Sequence, residues 1–183
     1  LPVQNMKEAV ELVEAVEESG LVYAYGENYC YMPATYEMKK LYESGEIGEF
    51  EYAEGEYIHN CESIWHSITY GEPDHWRNSG YSTFYCTHSL GPIIHTTKLR
   101  PVSVTGFEAT RNARSLRVGR KSAQFGIEMV TLENGGIVKS IHGDLYKNSI
   151  WYTMYGSKGR MECGREDACD GHICKIYINK DEY

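Results

Sequence analysis

Strand-like segments follow one another through the second half of the chain, and this feature constrains the fold more than any other. The dipeptide Asn134-Gly135 lies between two of them and favours a hairpin turn. Residues 48–57 alternate with an imperfect period of two, which favours a strand over a helix, and residues 173–179 alternate in the same way. The chain is therefore predicted to build a sheet. The other strand-like segments, separated by turn residues, are 102–109, 122–132, 137–144 and 150–155.

Two helices are predicted ahead of these strands. Apolar residues at positions 6, 9, 10, 13 and 16 recur at helical spacing, opposite a face rich in glutamate. Asn5 caps this helix and Gly20 ends it. Residues 21–25 then have the composition of a short buried strand, and a second helix opens at Pro33 and ends at Gly45. A helix that leads into a buried strand is typical of the end of an α/β unit.

Length and charge limit the possible functions. A chain of 183 residues can bury a real core, and its net charge of −8 argues against nucleic-acid binding, which needs a clustered basic face. The basic run at 111–121 is interpreted as a solvated loop between strands. No segment has the apolar length of a membrane span, and the N-terminus lacks a signal-peptide pattern. A soluble, cytoplasmic protein without nucleic-acid or membrane partners is expected.

Cysteine spacing gives little support to a metal site. The six cysteines include no Cys-x-x-Cys pair. Cys163, Cys169 and Cys174 could be combined with His172 around a zinc ion, but their spacings match no common structural zinc set. Free thiols in a reducing compartment are the favoured interpretation, and no metal is predicted.

The segment from Gly80 to His95 carries the strongest chemical signal. It places Tyr85 and His88 three residues apart, before Pro92, whose fixed φ fits the opening of a short helix within residues 89–97. A Tyr and a His at the mouth of that helix are able to exchange protons with a hydroxylated substrate. The alternative is a buried Tyr and His that are hydrogen-bonded to the backbone.

The unusual ratio of sixteen tyrosines to four phenylalanines bears on the ligand. Tyrosine combines a flat apolar face with a polar tip, which suits a polar ring such as a sugar. Half-exposed strand positions also favour tyrosine, so the ratio does not decide the question by itself.

The run Tyr85-Cys86-Thr87-His88-Ser89-Leu90-Gly91-Pro92 resembles the Tyr-x-Thr-His-x-Leu-Gly-Pro signature of the Gfo/Idh/MocA oxidoreductases. It is similar above all to the branch of NAD-dependent glycosidases, such as α-N-acetylgalactosaminidase. The resemblance implies an α+β fold, with a large, mostly antiparallel, open-faced sheet that carries helices on one face. Residues 1–26 would end a missing N-terminal dinucleotide-binding (Rossmann) domain, and 27–183 would form the C-terminal substrate-binding and oligomerisation domain.

The same resemblance implies a set of site residues. Tyr85 and His88 would be catalytic, assisted by Tyr57 from the run Glu-Gly-x-Tyr-x-His, although a tyrosine in a strand more often serves packing. The irregular segment 60–79 is interpreted as a lid beside the site. The stretch between Tyr57 and Tyr85 is shorter than in the glycosidases, so the substrate stays open. Asn28 and Tyr31 could equally belong to a loop that caps the next helix. The substrate-binding residues would be Asn28, Tyr31, His59, Trp76 and Arg77, with Glu27 and Asn28 also near the cofactor.

The implied activity is oxidation of a sugar hydroxyl with bound NAD(P), followed by elimination across a glycosidic bond. A plain sugar or polyol dehydrogenase and a non-catalytic interaction module built on the open sheet remain as alternatives. The sequence has no G-x-G-x-x-G turn to hold a dinucleotide. The chain alone is therefore expected to be inactive and to bind no cofactor, and to pair as a homodimer or larger homo-oligomer through the open sheet face.

Overall fold

The computed structural model describes residues 2–165 and 176–180. None of the described helices is long and apolar enough to cross a lipid bilayer. The helices are α1 (Met6–Ser19), α2 (Pro33–Glu43), α3 (Trp65–Ile68), α4 (Trp76–Ser79), α5 (Thr87–Thr97) and α6 (Ala113–Arg117), with 3₁₀ turns at Asn28–Tyr31, Glu62–Ile64 and Ser82–Tyr85. The strands are β1 (Phe50–Ile58), β2 (Pro101–Glu108), β3 (Phe125–Leu132), β4 (Ile137–Gly143), β5 (Ser149–Gly156), β6 (Gly159–Cys163) and β7 (Ile176–Lys180).

The described strands form one seven-stranded sheet in the order β2-β3-β4-β1-β5-β6-β7. β1 and β4 are parallel, and all other neighbouring strands are antiparallel. The predicted turn between β3 and β4 is present, because Leu132 and Gly136 share a backbone hydrogen bond and Gly135 has a φ of 87°. The predicted α+β fold with a large, mostly antiparallel sheet is confirmed.

Helices α2 and α5 cover one face of the sheet, and α5 packs mainly on β1 and β4. Alternate residues of these strands, such as Ala53 and Val138, are buried beneath the helices. The opposite face stays largely uncovered in the described part, and Met129, Ile137 and Tyr155 there are each more than a third exposed. The hydrophobic core therefore lies between the two helices and one side of the sheet.

Gly55 lets α5 lie directly against β1. A β-carbon at this position would be 1.9 Å from the backbone oxygen of Ser89, far inside van der Waals contact. Beside this contact, the buried hydroxyl groups of Ser89 and Ser140 are 2.8 Å apart and satisfy each other. The close approach fixes the first turn of α5 over β1 and β4.

The prediction that Pro92 opens a helix is wrong, because α5 begins at Thr87 and Pro92 lies inside it. A proline within a helix cannot donate to the carbonyl group four residues earlier, which here belongs to His88. The hydroxyl group of Tyr152, on β5, donates to this carbonyl oxygen at 2.5 Å. This hydrogen bond compensates for the missing N–H and ties the first turn of α5 to the sheet.

The N-terminal segment is only partly as predicted. α1 is capped by Asn5, whose side chain accepts from the Glu8 N–H, and it ends at Gly20 in the left-handed region. None of its side chains is buried, so its apolar face has no partner among the described residues. The predicted buried strand at 21–25 is wrong: the segment is not a strand, and Val22 is 99% exposed. A strand needs a neighbour for its backbone polar groups, and no described strand pairs with this segment.

Candidate functional site

A cavity of about 270 Å³ lies at the carboxyl ends of the parallel strands β1 and β4. Tyr57 and His59 reach it from β1, and His142 and Asp144 reach it from β4. Ligands of open sheets commonly bind outside the carboxyl ends of parallel strands. The volume is near the lower end of the range of about 300–1,000 Å³ for small-molecule sites, which suits a small ligand.

The segment predicted to be an irregular lid closes one side of this cavity. Residues 60–79 contain the short helices α3 and α4 rather than a wholly irregular loop. Trp65 of α3 and Trp76 and Arg77 of α4 lie in the cavity wall. The segment therefore supplies aromatic and cationic groups to the cavity.

Five of the residues selected from the sequence line the cavity together. They are Tyr57, His59, Trp76, Arg77 and Tyr85. The chain brings them from β1, α4 and the 3₁₀ turn that precedes α5, so residues far apart in the sequence meet in one wall.

His88 lies behind this wall, in the first turn of α5. The centroid of its ring is 4.6 Å from that of Tyr57 and 5.0 Å from that of Tyr85. Tyr29 is buried and packs against both His88, at 4.5 Å, and Tyr57, at 5.0 Å. Three phenol rings thus surround the imidazole. Sequence reasoning missed Tyr29, although it lies between the selected residues Asn28 and Tyr31.

Glu27 orients the imidazole of His88. Its Oε1 is 2.7 Å from His88 Nδ1 and accepts from the backbone N–H of Tyr29 at 3.0 Å. Burial raises the pKa of Glu27, but hydrogen bonds from His88, the Tyr29 backbone and Thr87 outweigh burial and hold the pKa below its ordinary value. The carboxylate is therefore ionised at neutral pH. It directs His88 Nδ1 toward itself, which leaves Nε2 for another partner.

Tyr57 carries a neutral hydroxyl group into the site. Burial, with smaller contributions from Tyr29 and Tyr85, raises the pKa of Tyr57 well above its ordinary value. The hydroxyl oxygen is 3.0 Å from His59 Nδ1. Tyr57 is thus suited to donate or share a hydrogen bond but not to act as a phenolate at neutral pH.

Asn28 and Tyr31 lie away from the cavity. Asn28 is exposed, and Tyr31 is 64% exposed, with its ring packed against His95 at 5.2 Å. Neither residue belongs to the cavity wall. Their assignment to the substrate, and that of Asn28 and Glu27 to the cofactor, stay predictions.

The interpretation of residues 111–121 as a solvated loop is wrong for two of its arginines. Arg114, at the start of α6, is largely buried and ion-pairs with Asp144 and Glu62, at 2.8 Å each. Arg120 is only 8% exposed and lines the cavity. Local sequence carries no sign of this burial, because the carboxylates and the cavity come from distant segments.

His142, in the cavity wall, forms a buried pair with Glu128 that the sequence analysis missed. His142 Nε2 is 3.2 Å from Glu128 Oε1, and both side chains are buried. His142 Nδ1 and the second oxygen of Glu128 have no hydrogen-bond partner among the described residues. The alternation of β4 places His142 on the same face as Val138 and Ser140, which is the only sequence signal for its burial.

The thiol in the cavity wall is not a nucleophile. Burial, with Asp144 nearby, raises the pKa of Cys61 to about 11. The thiolate, which is the reactive form, is therefore scarce at neutral pH. The described part of the chain holds no cluster of three metal-binding side chains. Cys169, His172 and Cys174 of the weighed zinc site lie outside the described residues.

No protein-family model matches the chain. The glycosyl hydrolase family 109 protein 3 of Phocaeicola vulgatus is 34% identical over 103 residues, which cover 49% of this chain and 18% of that protein. The chain is thus similar to a short part of a longer relative.

Solved structures match nearly the whole chain. UDP-N-acetylglucosamine 3-dehydrogenase from Acidithiobacillus ferrooxidans superposes with a TM-score of 0.67 at 17% identity, over 97% of this chain and 50% of that chain. An inositol dehydrogenase homolog from Azotobacter vinelandii, complexed with NADH and myo-inositol, gives 0.68 at 14% identity, over 97% and 47%. The chain has the fold of the matching half of these structures. The chain spans about half the length of these structures, and the fold implied by the sequence resemblance is confirmed.

Proposed function

We propose that this chain forms the substrate-binding half of an NAD(P)-dependent oxidoreductase that acts on a sugar or a glycoside. The observation that carries the proposal is the cluster of Tyr57, Tyr85 and His88 at a cavity of small-molecule size. Proton-handling side chains beside a tryptophan-lined wall suit a hydroxylated ring, because aromatic faces pack on its C–H groups.

The side chains of this chain have definite tasks in the proposal. His88 accepts a proton at Nε2, and the Glu27 carboxylate at Nδ1 stabilises the imidazolium that forms. Tyr57, neutral and buried, donates a hydrogen bond that holds a substrate hydroxyl group. Tyr85, in the cavity wall against His88, relays the proton or orients the same hydroxyl group.

NAD(P) belongs to the full-length protein in this proposal. No described residue group forms a phosphate-binding turn, and the sequence lacks G-x-G-x-x-G, so the residues present do not fit a whole dinucleotide. A bound nicotinamide would accept the hydride. We also propose that residues 1–26 pack on a dinucleotide-binding domain, because the apolar face of α1 is unpartnered among the described residues. We also propose a cytoplasmic location, which the free thiols of Cys30, Cys61 and Cys86 support.

Two outcomes of the chemistry are distinguished by their products. Cleavage of a glycosidic bond by oxidation and elimination is supported by the glycosyl hydrolase relative. Simple dehydrogenation of a sugar or polyol is supported by the structural similarity to a UDP-N-acetylglucosamine 3-dehydrogenase and to an inositol dehydrogenase homolog. Incubation of the full-length protein with NAD and glycosides separates the two, since the first releases free sugar without net reduced cofactor and the second accumulates reduced cofactor.

Substitutions test the assignment of the residues. In the full-length protein His88→Ala and Tyr85→Phe are each expected to lower turnover by about 10²-fold or more, the usual effect of removing a positioned acid or base. Tyr70→Phe, at a position that is 80% exposed and outside the cavity wall, is the matched control and is expected to leave turnover unchanged. Near-normal turnover of either site variant would show that its residue has been assigned wrongly.

A separate binding experiment tests whether NAD binding requires the dinucleotide-binding domain. The 183-residue chain alone is expected to be inactive and to show no binding of micromolar affinity when titrated with NAD in a calorimeter. Such binding would contradict the assignment of the phosphate-binding turn to another domain.

We propose further that two copies pair through the open sheet face. Its exposed apolar side chains include Phe107, Met129, Ile137, Tyr155 and Tyr177, and the Lys139–Glu54 ion pair lies in the middle of the same face. A two-fold pairing buries such a face symmetrically. Light scattering at tens of micromolar protein is expected to give a dimer mass, and Met129→Glu to give a monomer. A monomer mass for the unmodified chain would refute the pairing.

A further inference from the structure

Two arginines in the cavity wall have no anionic partner in the described part of the chain. Neither Arg77 nor Arg120 lies within ion-pair distance of a carboxylate there, whereas the neighbouring Arg114 contacts two. The protein is acidic overall, with 26 Asp and Glu residues against 18 Lys and Arg residues. Carboxylates are therefore plentiful, and Asp144 and Glu108 act on Arg120 from beyond ion-pair distance, but none in the described part of the chain pairs directly with either guanidinium group.

Arg120 is the more informative of the two arginines, because its side chain is buried. It is 8% exposed, its Nη2 donates to the backbone oxygen of Ala123 at 2.8 Å, and its Nε is buried without a hydrogen-bond partner among the described residues. The guanidinium group lies over the ring of Trp65, 4.8 Å from the centroid. A buried cation that no carboxylate pairs with directly is costly, and a bound anion would relieve that cost.

Arg77, on α4, also stacks on a tryptophan ring. Its guanidinium group lies over the ring of Trp76, 4.7 Å from the centroid, and both residues are half-buried in the cavity wall. Stacking on an indole holds a guanidinium plane in one orientation while its N–H edge stays free. Both guanidinium groups are thus held in place by an indole ring, and Arg120 is held further by its hydrogen bond to Ala123.

Asn78 fastens the two arginine-bearing segments together. Its side-chain oxygen accepts from Trp65 Nε1 at 2.8 Å, and its backbone oxygen accepts from the N–H of Lys121 at 2.6 Å. Asn78 follows Arg77 in the chain, and Lys121 follows Arg120. The two guanidinium groups are therefore mounted on one rigid frame rather than on independent loops.

The carboxylate that does line the cavity is already neutralised. Asp144 Oδ1 accepts from Arg114 Nη2 at 2.8 Å and from the Cys61 N–H at 2.9 Å. Asp144 is the only acidic side chain of the described cavity wall. The wall therefore keeps an excess of positive charge from Arg77 and Arg120.

We propose that the substrate is an acidic sugar, whose carboxylate, sulfate or phosphate group is held by Arg77 and Arg120 while its ring lies against Tyr57 and Tyr85. Planar guanidinium groups match the oxygens of such anions, and charge-assisted hydrogen bonds are the strong ones. The inference rests on the proposed function and names the substrate class of that same site.

Calorimetric titration at constant ionic strength tests the inference. The probes are glucuronate, galacturonate, galactose 6-phosphate and galactose 6-sulfate, each compared with neutral glucose or galactose. The acidic sugars are expected to bind about tenfold or more tightly than their neutral parents, as loss of a charge-assisted hydrogen bond implies. The comparison among carboxylate, phosphate and sulfate identifies the anion that the site prefers.

Substitutions connect the preference to the two arginines. Arg77→Gln and Arg120→Gln are each expected to remove most of the preference for the acidic sugar. Arg100→Gln is the matched control, because Arg100 has a side chain that is 85% exposed and pairs with Glu133 away from the cavity. It removes the same charge and is expected to keep the preference. If Arg120→Gln does not fold, the half-buried Arg77 still carries the test.

The results separate this inference from the proposed function. Equal binding of neutral and acidic sugars, or a preference that survives both substitutions, overturns the inference and leaves a sugar site intact. Binding of free sulfate alone, with no sugar bound, overturns both the inference and the proposed function. Absence of binding by every acidic sugar also overturns the inference.

Discussion

The hydrogen bond from Tyr152 to the carbonyl oxygen of His88 lends itself to a decisive measurement. Pro92 has no N–H, so the carbonyl group of His88 depends on the buried hydroxyl group of Tyr152 for its partner. Tyr152→Phe removes that donor and leaves the oxygen unpaired in a largely buried place. An unsatisfied buried polar group costs about 1–3 kcal/mol. For a chain of this length each kcal/mol lowers the melting temperature by about 2–4 °C.

The replacement Pro92→Ala provides the internal test of this reasoning. Alanine restores an N–H four residues after His88, which is placed to donate to the same carbonyl oxygen. In the Pro92→Ala background, Tyr152→Phe is therefore expected to cost less than about 1 kcal/mol, because the oxygen keeps a partner. The four proteins of this double-mutant cycle are compared by urea unfolding monitored by far-ultraviolet circular dichroism.

The coupling energy decides the outcome. Independent substitutions add within about 0.3–0.5 kcal/mol, so a coupling clearly larger than this value supports the shared carbonyl group. If Tyr152→Phe lowers the free energy of unfolding equally in both backgrounds, the hydroxyl group of Tyr152 does not compensate for the missing N–H of Pro92.

Three further predictions concern packing, acid stability and thiol reactivity. Gly55→Ala forces a β-carbon into the Ser89 carbonyl group and is expected to lower the free energy of unfolding by about 3 kcal/mol. The control Gly26→Ala, with open space around it, is expected to change that free energy little. Equal urea midpoints for the two variants would contradict the close approach of α5 to β1. The pKa of Glu27 is lowered from about 4.5, so its carboxylate stabilises the fold above that pH, and this stabilisation is lost as the pH falls through the folded-state pKa. Below pH 4.5 the free energy of unfolding of Glu27→Gln should therefore fall less steeply than that of the parent protein. Parallel pH profiles of the two proteins would count against this. Because burial raises the pKa of Cys61 from 9.0 to about 11, iodoacetamide at pH 7.5 is expected to modify this thiol about 10²-fold more slowly than an unperturbed thiol. Mass spectrometry follows the reaction, and rapid alkylation would refute the buried environment of Cys61.

Local chemistry in the sequence determined several elements by itself. The Asn5 cap and the left-handed Gly20 fix α1, and Asn134-Gly135 fixes the hairpin between β3 and β4, because these residues act on the few backbone groups next to them. Alternation of side chains located β1, and strand-like segments bounded by turn residues located β2 to β5, since both signals are local properties of the chain. The run around Tyr85 and His88 also marked the place where the aromatic rings gather.

Only the tertiary structure decided which polar groups face the cavity. Arg120 and His142 look like ordinary loop and strand residues, and they become buried because α4, β3 and the end of β1 meet around them. The helix runs through Pro92 because a tyrosine sixty residues later supplies the missing hydrogen bond. Residues 21–25 have the composition of a buried strand and stay exposed, since a strand exists only where another strand pairs with it. Each of these outcomes depends on partners distant in the sequence, and no local pattern of residues encodes them.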